Sequence, residues 1–200
     1  RLDAARRELP EPARLLADRV LAVRADWATR YEPQALGALD VMKTRYHGDY
    51  HLGQVLVVKN DVMIIDFEGE PARPLAARRD KHCPLRDVVG MVRSFNYAAQ
   101  AALRQVTADG ASRRTMLASL VSDWEQRSRA AFLAGYAETA QDSPGYPASP
   151  DQMALLLTLF TLEKACYELR YELDNRPDWV TIPLSGLCEL LLLPTKDVPR

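Results

Sequence analysis

Two hundred residues suffice for one domain with a sizeable core and are few for two full lobes. With 48% hydrophobic and 26% charged residues, the composition is that of a soluble globular protein, and a net charge of −1 leaves no cationic excess to displace counterions from nucleic acid. Cys83, Cys166 and Cys188 are too scattered for a disulfide framework or a structural zinc site, and the apolar stretches Met153–Phe160 and Leu187–Leu193 are far shorter than the roughly 20 residues that span a bilayer. These features predict a cytoplasmic protein with reduced thiols and no nucleic-acid or membrane partner. The chain opens at Arg1 and its first methionine is Met42, so it is expected to be a piece of a longer polypeptide.

From Glu11 to about Tyr31, Leu15, Leu16, Val20, Leu21, Val23 and Trp27 recur at helical spacing before Pro33, which predicts an amphipathic helix. Gln54–Val58 and Val62–Ile65 are apolar, β-branched runs separated by Lys59-Asn60-Asp61, the pattern of a short hairpin. The spacing of Val88, Val89, Val92, Phe95, Ala99 and Leu103 predicts a helix over Leu85–Val106, and a further helix is expected over about Ser112–Thr139, before the turn-rich Ser143-Pro-Gly-Tyr-Pro147. Ser149, Pro150 and Gln152 form an N-cap, a first-turn proline and a capping-box glutamine, so a last helix should run from Pro150 to about Asn175. The fold class expected is α+β, mainly helical, with an embedded hairpin.

The strongest chemical signal surrounds that hairpin: His47-Gly-Asp49-Tyr-His51-Leu-Gly-Gln54, then Ile64-Ile-Asp66-Phe67-Glu68-Gly69. A hydroxyl that attacks a nucleotide γ-phosphate needs a carboxylate to orient it and take its proton, which Asp49 can supply. The amide oxygen of Gln54 and the carboxylate of Asp66 are hard ligands suited to Mg²⁺. The order matches the kinase pattern H-R-D-x-x-x-x-N followed by D-F-G, with Gly48, Gln54 and Glu68 as the departures. Taken singly, Asp49 and Asp66 are as well explained as turn and strand-end residues; the ordered set favours phosphoryl transfer. Zinc on His47 and His51 is disfavoured, since Gly48 and Gly53 argue against the helix that such a pair needs.

On the last helix, Lys164, Tyr167, Glu168 and Tyr171 share a face. Tyrosine rings can cover the C–H faces of a sugar while Lys164 and Glu168 bond its hydroxyls, but the spacing equally suits a solvated Lys–Glu pair. Asp87 and Arg93 suit architectural roles, a helix-start carboxylate and a charge that buttresses the loop around Asp49, and the arginine-rich stretch Arg73–Arg79 suits a solvated loop.

These segments, with Leu85-Arg-Asp-Val-Val-Gly-Met-Val-Arg-Ser-Phe-Asn-Tyr-Ala-Ala99 and Asn175-Arg-Pro-Asp-Trp179, resemble the maltokinase family, including maltokinase regions fused to trehalose synthases, from about His47 to Leu187. The resemblance implies the C-terminal catalytic and sugar-binding lobe of a protein-kinase-like fold over 1–200, related to aminoglycoside phosphotransferases. It implies ATP- and Mg²⁺-dependent phosphorylation of maltose at its anomeric hydroxyl, giving maltose 1-phosphate for α-glucan synthesis. Asp49 would be the catalytic base; Gln54 and Asp66, with Glu68, would hold Mg²⁺; and His51, Lys164, Tyr167, Glu168 and Tyr171 would bind the sugar. The family's N-terminal nucleotide-binding lobe is expected to be absent from this chain, because none of its nine glycines forms a Gly-x-Gly or Walker pattern. A related phosphotransferase with another hydroxyl acceptor and a non-catalytic carbohydrate-binding kinase remnant are the competing expectations.

Overall fold

In the computed structural model the described residues are 1–30, 41–106 and 111–192. The chain forms two compact units, Arg1–Asp40 with Ser149–Arg200, and Val41–Ala148.

Among its described residues the first unit is built from helices. Helix α1 (Leu2–Ala5) and a 3₁₀ turn (Arg6–Glu8) lead into α2 (Glu11–Ala22) and α3 (Arg24–Arg30). The single helix expected over this stretch is therefore two, parted at Val23, whose backbone leaves the helical region at φ −98° and ψ 6°. Tyr31 and Pro33 lie outside the described residues. The buried stripe of α2 runs through Ala13, Ala17 and Val20, while Leu15 is 58% exposed. Small side chains at offsets of four and three let a neighbouring helix approach closely, which matters more here than the hydropathy of each residue.

Helix α7 (Pro150–Asn175) begins as its sequence predicts: Ser149 Oγ accepts from the Gln152 N–H at 3.2 Å, with Pro150 in the first turn. A 3₁₀ turn (Pro177–Trp179) follows, and then α8 (Thr181–Leu192), which the sequence reading did not mark. Leu184, Leu187 and Leu191 of α8 join Ala13 and Ala17 of α2 and Leu162, Ala165 and Leu169 of α7 in one core. A helix apolar on most sides lacks the polar face that makes periodicity visible.

The second unit holds the hairpin. Strands β1 (Val55–Val58) and β2 (Asp61–Ile64) pair antiparallel with Val57 opposite Val62 and Val58 opposite Asp61, so the loop is Lys59-Asn60 alone. Helix α4 (Leu75–Arg79) occupies part of the arginine-rich stretch expected to be loop. Helices α5 (Leu85–Val106) and α6 (Ala111–Ala140) pack on each other. Edge-to-face rings join them, Phe95 lying 6.2 Å from Trp124 and 6.0 Å from Phe132 between centroids. The buried face of α5 includes Leu85, Val88, Val89 and Met91, and Gly90 lies among them.

Candidate active site

The loop His47–Leu52 is laid along one face of α5. Asp87 accepts from the backbone N–H groups of His47 at 2.6 Å and Gly48 at 2.9 Å, and Ser94 Oγ accepts from Leu52 N–H at 2.9 Å. Between them, a Cβ on Gly90 would lie 2.5 Å from the carbonyl oxygen of Tyr50, so only glycine admits the loop this close. Offsets of three and four put all three positions on one side of the helix, bracketing Asp49. Asp87, expected as a helix-start carboxylate, thus also holds the loop.

The ring of His47 then ties the loop to the far end of the hairpin. It is buried, its Nδ1 accepts from Asp49 N–H at 3.3 Å, and its Nε2 donates to the Ile65 carbonyl at 2.8 Å. Those two bonds suit the neutral Nε2–H tautomer. Phe67 stacks on the same ring at 4.8 Å, and Tyr50 lies 5.6 Å from it. Burial pushes the Tyr50 phenol up, and the nearby Asp87 charge adds to that.

Gln54 ends the 3₁₀ turn Leu52–Gln54, and its amide nitrogen donates to Asp66 Oδ2 at 2.9 Å. Asp66 stands in the left-handed region at φ +63°, a conformation that aspartate tolerates better than bulkier residues do. Glu68, two residues on, is exposed, and its carbonyl accepts from Arg78 at 3.4 Å. Among the described residues no group of three or more His, Cys, Asp or Glu could hold a metal by itself. The donor set nevertheless fits Mg²⁺ arriving with a nucleotide, because such an ion takes one or two carboxylates and completes its shell with phosphate oxygens and water. A half-turn of the Gln54 amide exchanges its nitrogen for its oxygen, leaving two oxygen ligands side by side.

His51 lies beside Asp49, its Nε2 at 3.8 Å from Asp49 Oδ2. Lys164, Tyr167, Glu168 and Tyr171 belong to the other compact unit, on α7. There the Lys164 ammonium sits over the Tyr167 ring at 5.2 Å, Glu168 is buried, and Tyr171 is exposed under the guanidinium of Arg176 at 5.4 Å.

A cleft of about 830 Å³, within the size range of small-molecule sites, opens beside the His47–Leu52 loop with Tyr46, Tyr50, Phe67, Phe132 and Tyr136 on its walls. No local pattern marks Tyr46, and Phe132 and Tyr136, spaced four apart on α6, look like ordinary core. Gly90 and Ser94 were passed over too. A glycine inside a strong helical pattern, about 1 kcal/mol worse than alanine there, was the available sign of a close backbone approach.

No protein-family model matches the chain. It is similar to the glucosamine kinase of Streptacidiphilus jiangxiensis, 30% identical over 152 residues that make up 76% of this chain and 32% of that protein. It is also similar to the glucosamine kinase of Mycolicibacterium smegmatis (strain ATCC 700084 / mc(2)155), 28% identical over 148 residues, 72% of this chain and 34% of that protein. The solved structure of a glucosamine kinase in complex with glucosamine, ADP and inorganic phosphate superposes with a TM-score of 0.67 and 26% identity, covering 96% of this chain and 42% of that one. A second crystal form gives the same TM-score and covers 98% of this chain. The chain spans about a third of the length of the curated relatives it matches. Its fold is that of part of a sugar kinase, and the relatives are glucosamine kinases where the motifs had pointed to maltokinase.

Proposed function

We propose that the chain supplies the acceptor-activating, metal-binding and sugar-binding part of an ATP-dependent sugar kinase. The observation that carries this reading is the His47 bridge between the Asp49 amide and the Ile65 carbonyl, which ties the loop bearing Asp49 to the strand end bearing Asp66, itself in contact with Gln54. A base beside a pair of hard oxygen ligands is what phosphoryl transfer from a nucleotide needs. In this reading Asp49 orients the sugar hydroxyl and takes its proton, while Gln54 and Asp66, with Glu68 able to add a carboxylate, hold Mg²⁺. The ion, when bound, offsets the charge of the phosphate oxygens.

Lys164, Tyr167, Glu168, Tyr171 and His51 are assigned to the sugar. The buried carboxylate of Glu168 suits a cationic amino sugar, and the similarity to glucosamine kinases supports glucosamine as the first acceptor to test. Maltose, phosphorylated at its anomeric hydroxyl, is the second reading; the motif resemblance carries it, together with a trehalose synthase partner and a separate nucleotide-binding lobe.

The test is ADP release by the natural polypeptide carrying this chain, with Mg-ATP and glucosamine or maltose. Asp49→Asn should reduce turnover by about 10²-fold or more, the scale of a lost general base. Near wild-type turnover in that variant removes Asp49 from the mechanism. Turnover with maltose and none with glucosamine reverses the order of acceptors, and none with any sugar overturns phosphoryl transfer.

A further inference from the structure

The imidazole of His51 is held from below by its own turn. Its Nδ1 accepts from the Gly53 N–H at 3.0 Å, which caps the 3₁₀ turn that delivers Gln54. A neutral imidazole that accepts at Nδ1 carries its proton on Nε2, and that atom faces Asp49 Oδ2. A Cβ at 53 would lie 2.8 Å from the ring's Cε1 and 2.9 Å from Nδ1, so glycine leaves the ring in this seat and a larger residue would push it out.

The 3.8 Å between Nε2 and Oδ2 is too long for a direct hydrogen bond. One oxygen atom can lie within hydrogen-bond reach of both sides, each at about 2.8 Å, and a slight opening of the gap brings the angle between the two bonds toward tetrahedral. One wall of that gap donates and the other accepts, which matches a hydroxyl group: a lone pair toward His51 and a proton toward Asp49.

We infer that Gly53 and His51 form a tautomer lock that seats the acceptor hydroxyl, with His51 Nε2–H donating to the hydroxyl oxygen while that oxygen donates to Asp49. The inference rests on the reading of Asp49 as the acceptor's base. As the new O–P bond forms, the hydroxyl proton passes to Asp49 and the bond from the γ-phosphorus to the bridging oxygen breaks, its electron pair leaving with ADP. His51 keeps its proton throughout. It is therefore a donor that touches the substrate, and Gly53 is a positioning residue. The seat also discriminates: a protonated amine has no lone pair for Nε2–H, so an amino sugar must present a hydroxyl there.

The ring can be read directly by two-bond ¹H–¹⁵N correlation of the labelled chain above the imidazole titration range. The expected result is the Nε2–H tautomer at His51 and a mixture in Gly53→Ala; an Nδ1–H tautomer in the wild type overturns the lock. His51→Asn separates the two roles, because its short amide oxygen can still cap the turn but no donor reaches Asp49. The Gln54 backbone signal should stay in place, while kcat/KM for glucosamine falls by about tenfold or more. Wild-type kcat/KM in that variant overturns the seat. If Asp49→Asn retains turnover, the reading of Asp49 as the acceptor's base fails and the seat with it, while the imidazole spectrum still decides the tautomer.

Discussion

Glu172 is 1% exposed and its carboxylate receives two bonds from Arg176, at 2.9 and 2.6 Å, at the end of α7. The arginine side chain is 46% exposed, and its guanidinium lies over the rings of Tyr171 and Trp179. Removing either partner is therefore unequal. Arg176→Ala takes both bonds from a buried carboxylate and should cost about 3–5 kcal/mol, whereas Glu172→Gln leaves an arginine whose head already reaches water and should cost about 1–2 kcal/mol. Urea unfolding of the two variants checks the order; equal losses would mean that the carboxylate is satisfied without Arg176. Gly90 poses a second contest at the scale of one atom. Alanine there gains about 1 kcal/mol of helix propensity but meets the Tyr50 carbonyl, and overpacking costs about 1–3 kcal/mol. Gly90→Ala should lower the melting temperature. A rise would show that the loop gives way at no cost.

Elements of equal hydropathy have unequal fates in this chain. The hairpin is apolar on both faces, and yet Val57 is 80% and Val62 60% exposed, while Leu184 of α8 is fully buried. A two-stranded ribbon has little area of its own to bury, so its pairing depends on the loop and turn at its base. Val57→Thr keeps a β-branched side chain and should change stability by less than about 0.5 kcal/mol, whereas Leu184→Ala should cost about 2–5 kcal/mol. Chemical denaturation of the pair is the check, and a large loss at Val57 would mean that the ribbon is covered. The contrast also explains what was legible. The two strands and α7 carry local signatures, namely β-branched runs, a serine cap and a first-turn proline. Helix α8 carries none, and the buried stripe of α2 lies in alanines that a count of large apolar residues overlooks.

At the scale of the whole molecule the ionisable groups respond to pH in one direction on the alkaline side. Burial, the first cause in each case, pushes up the thiols of Cys83, Cys166 and Cys188, and it pushes the Tyr136 phenol up to about 12, helped by Cys83 and Tyr146. Each folded-state value lies above the unfolded one, so the stabilisation is complete below the ordinary thiol range and is lost as pH rises through the raised values. His82 acts in the opposite sense: burial, then Arg86 and Arg73, lower it, so its contribution is present above the ordinary imidazole value and lost as pH falls. The melting temperature should therefore plateau between the imidazole and thiol ranges and decline from there toward about 12. A melting temperature that climbs across the thiol range would contradict the burial of these groups.

By itself the sequence determined where the helices around Asp87 and Lys164 run and where the hairpin lies, because caps, periodicity and short motifs are interactions between near neighbours. Tertiary structure decided the rest. Asp87 reaches His47 and Gly48 across about 40 residues of chain, Ser94 reaches Leu52 across 42, and Lys164, Tyr167, Glu168 and Tyr171 on α7 fall in a different compact unit from Asp49. Contacts so far apart in the chain arise only when the loop is laid on the face of α5, and no local pattern of residues encodes them.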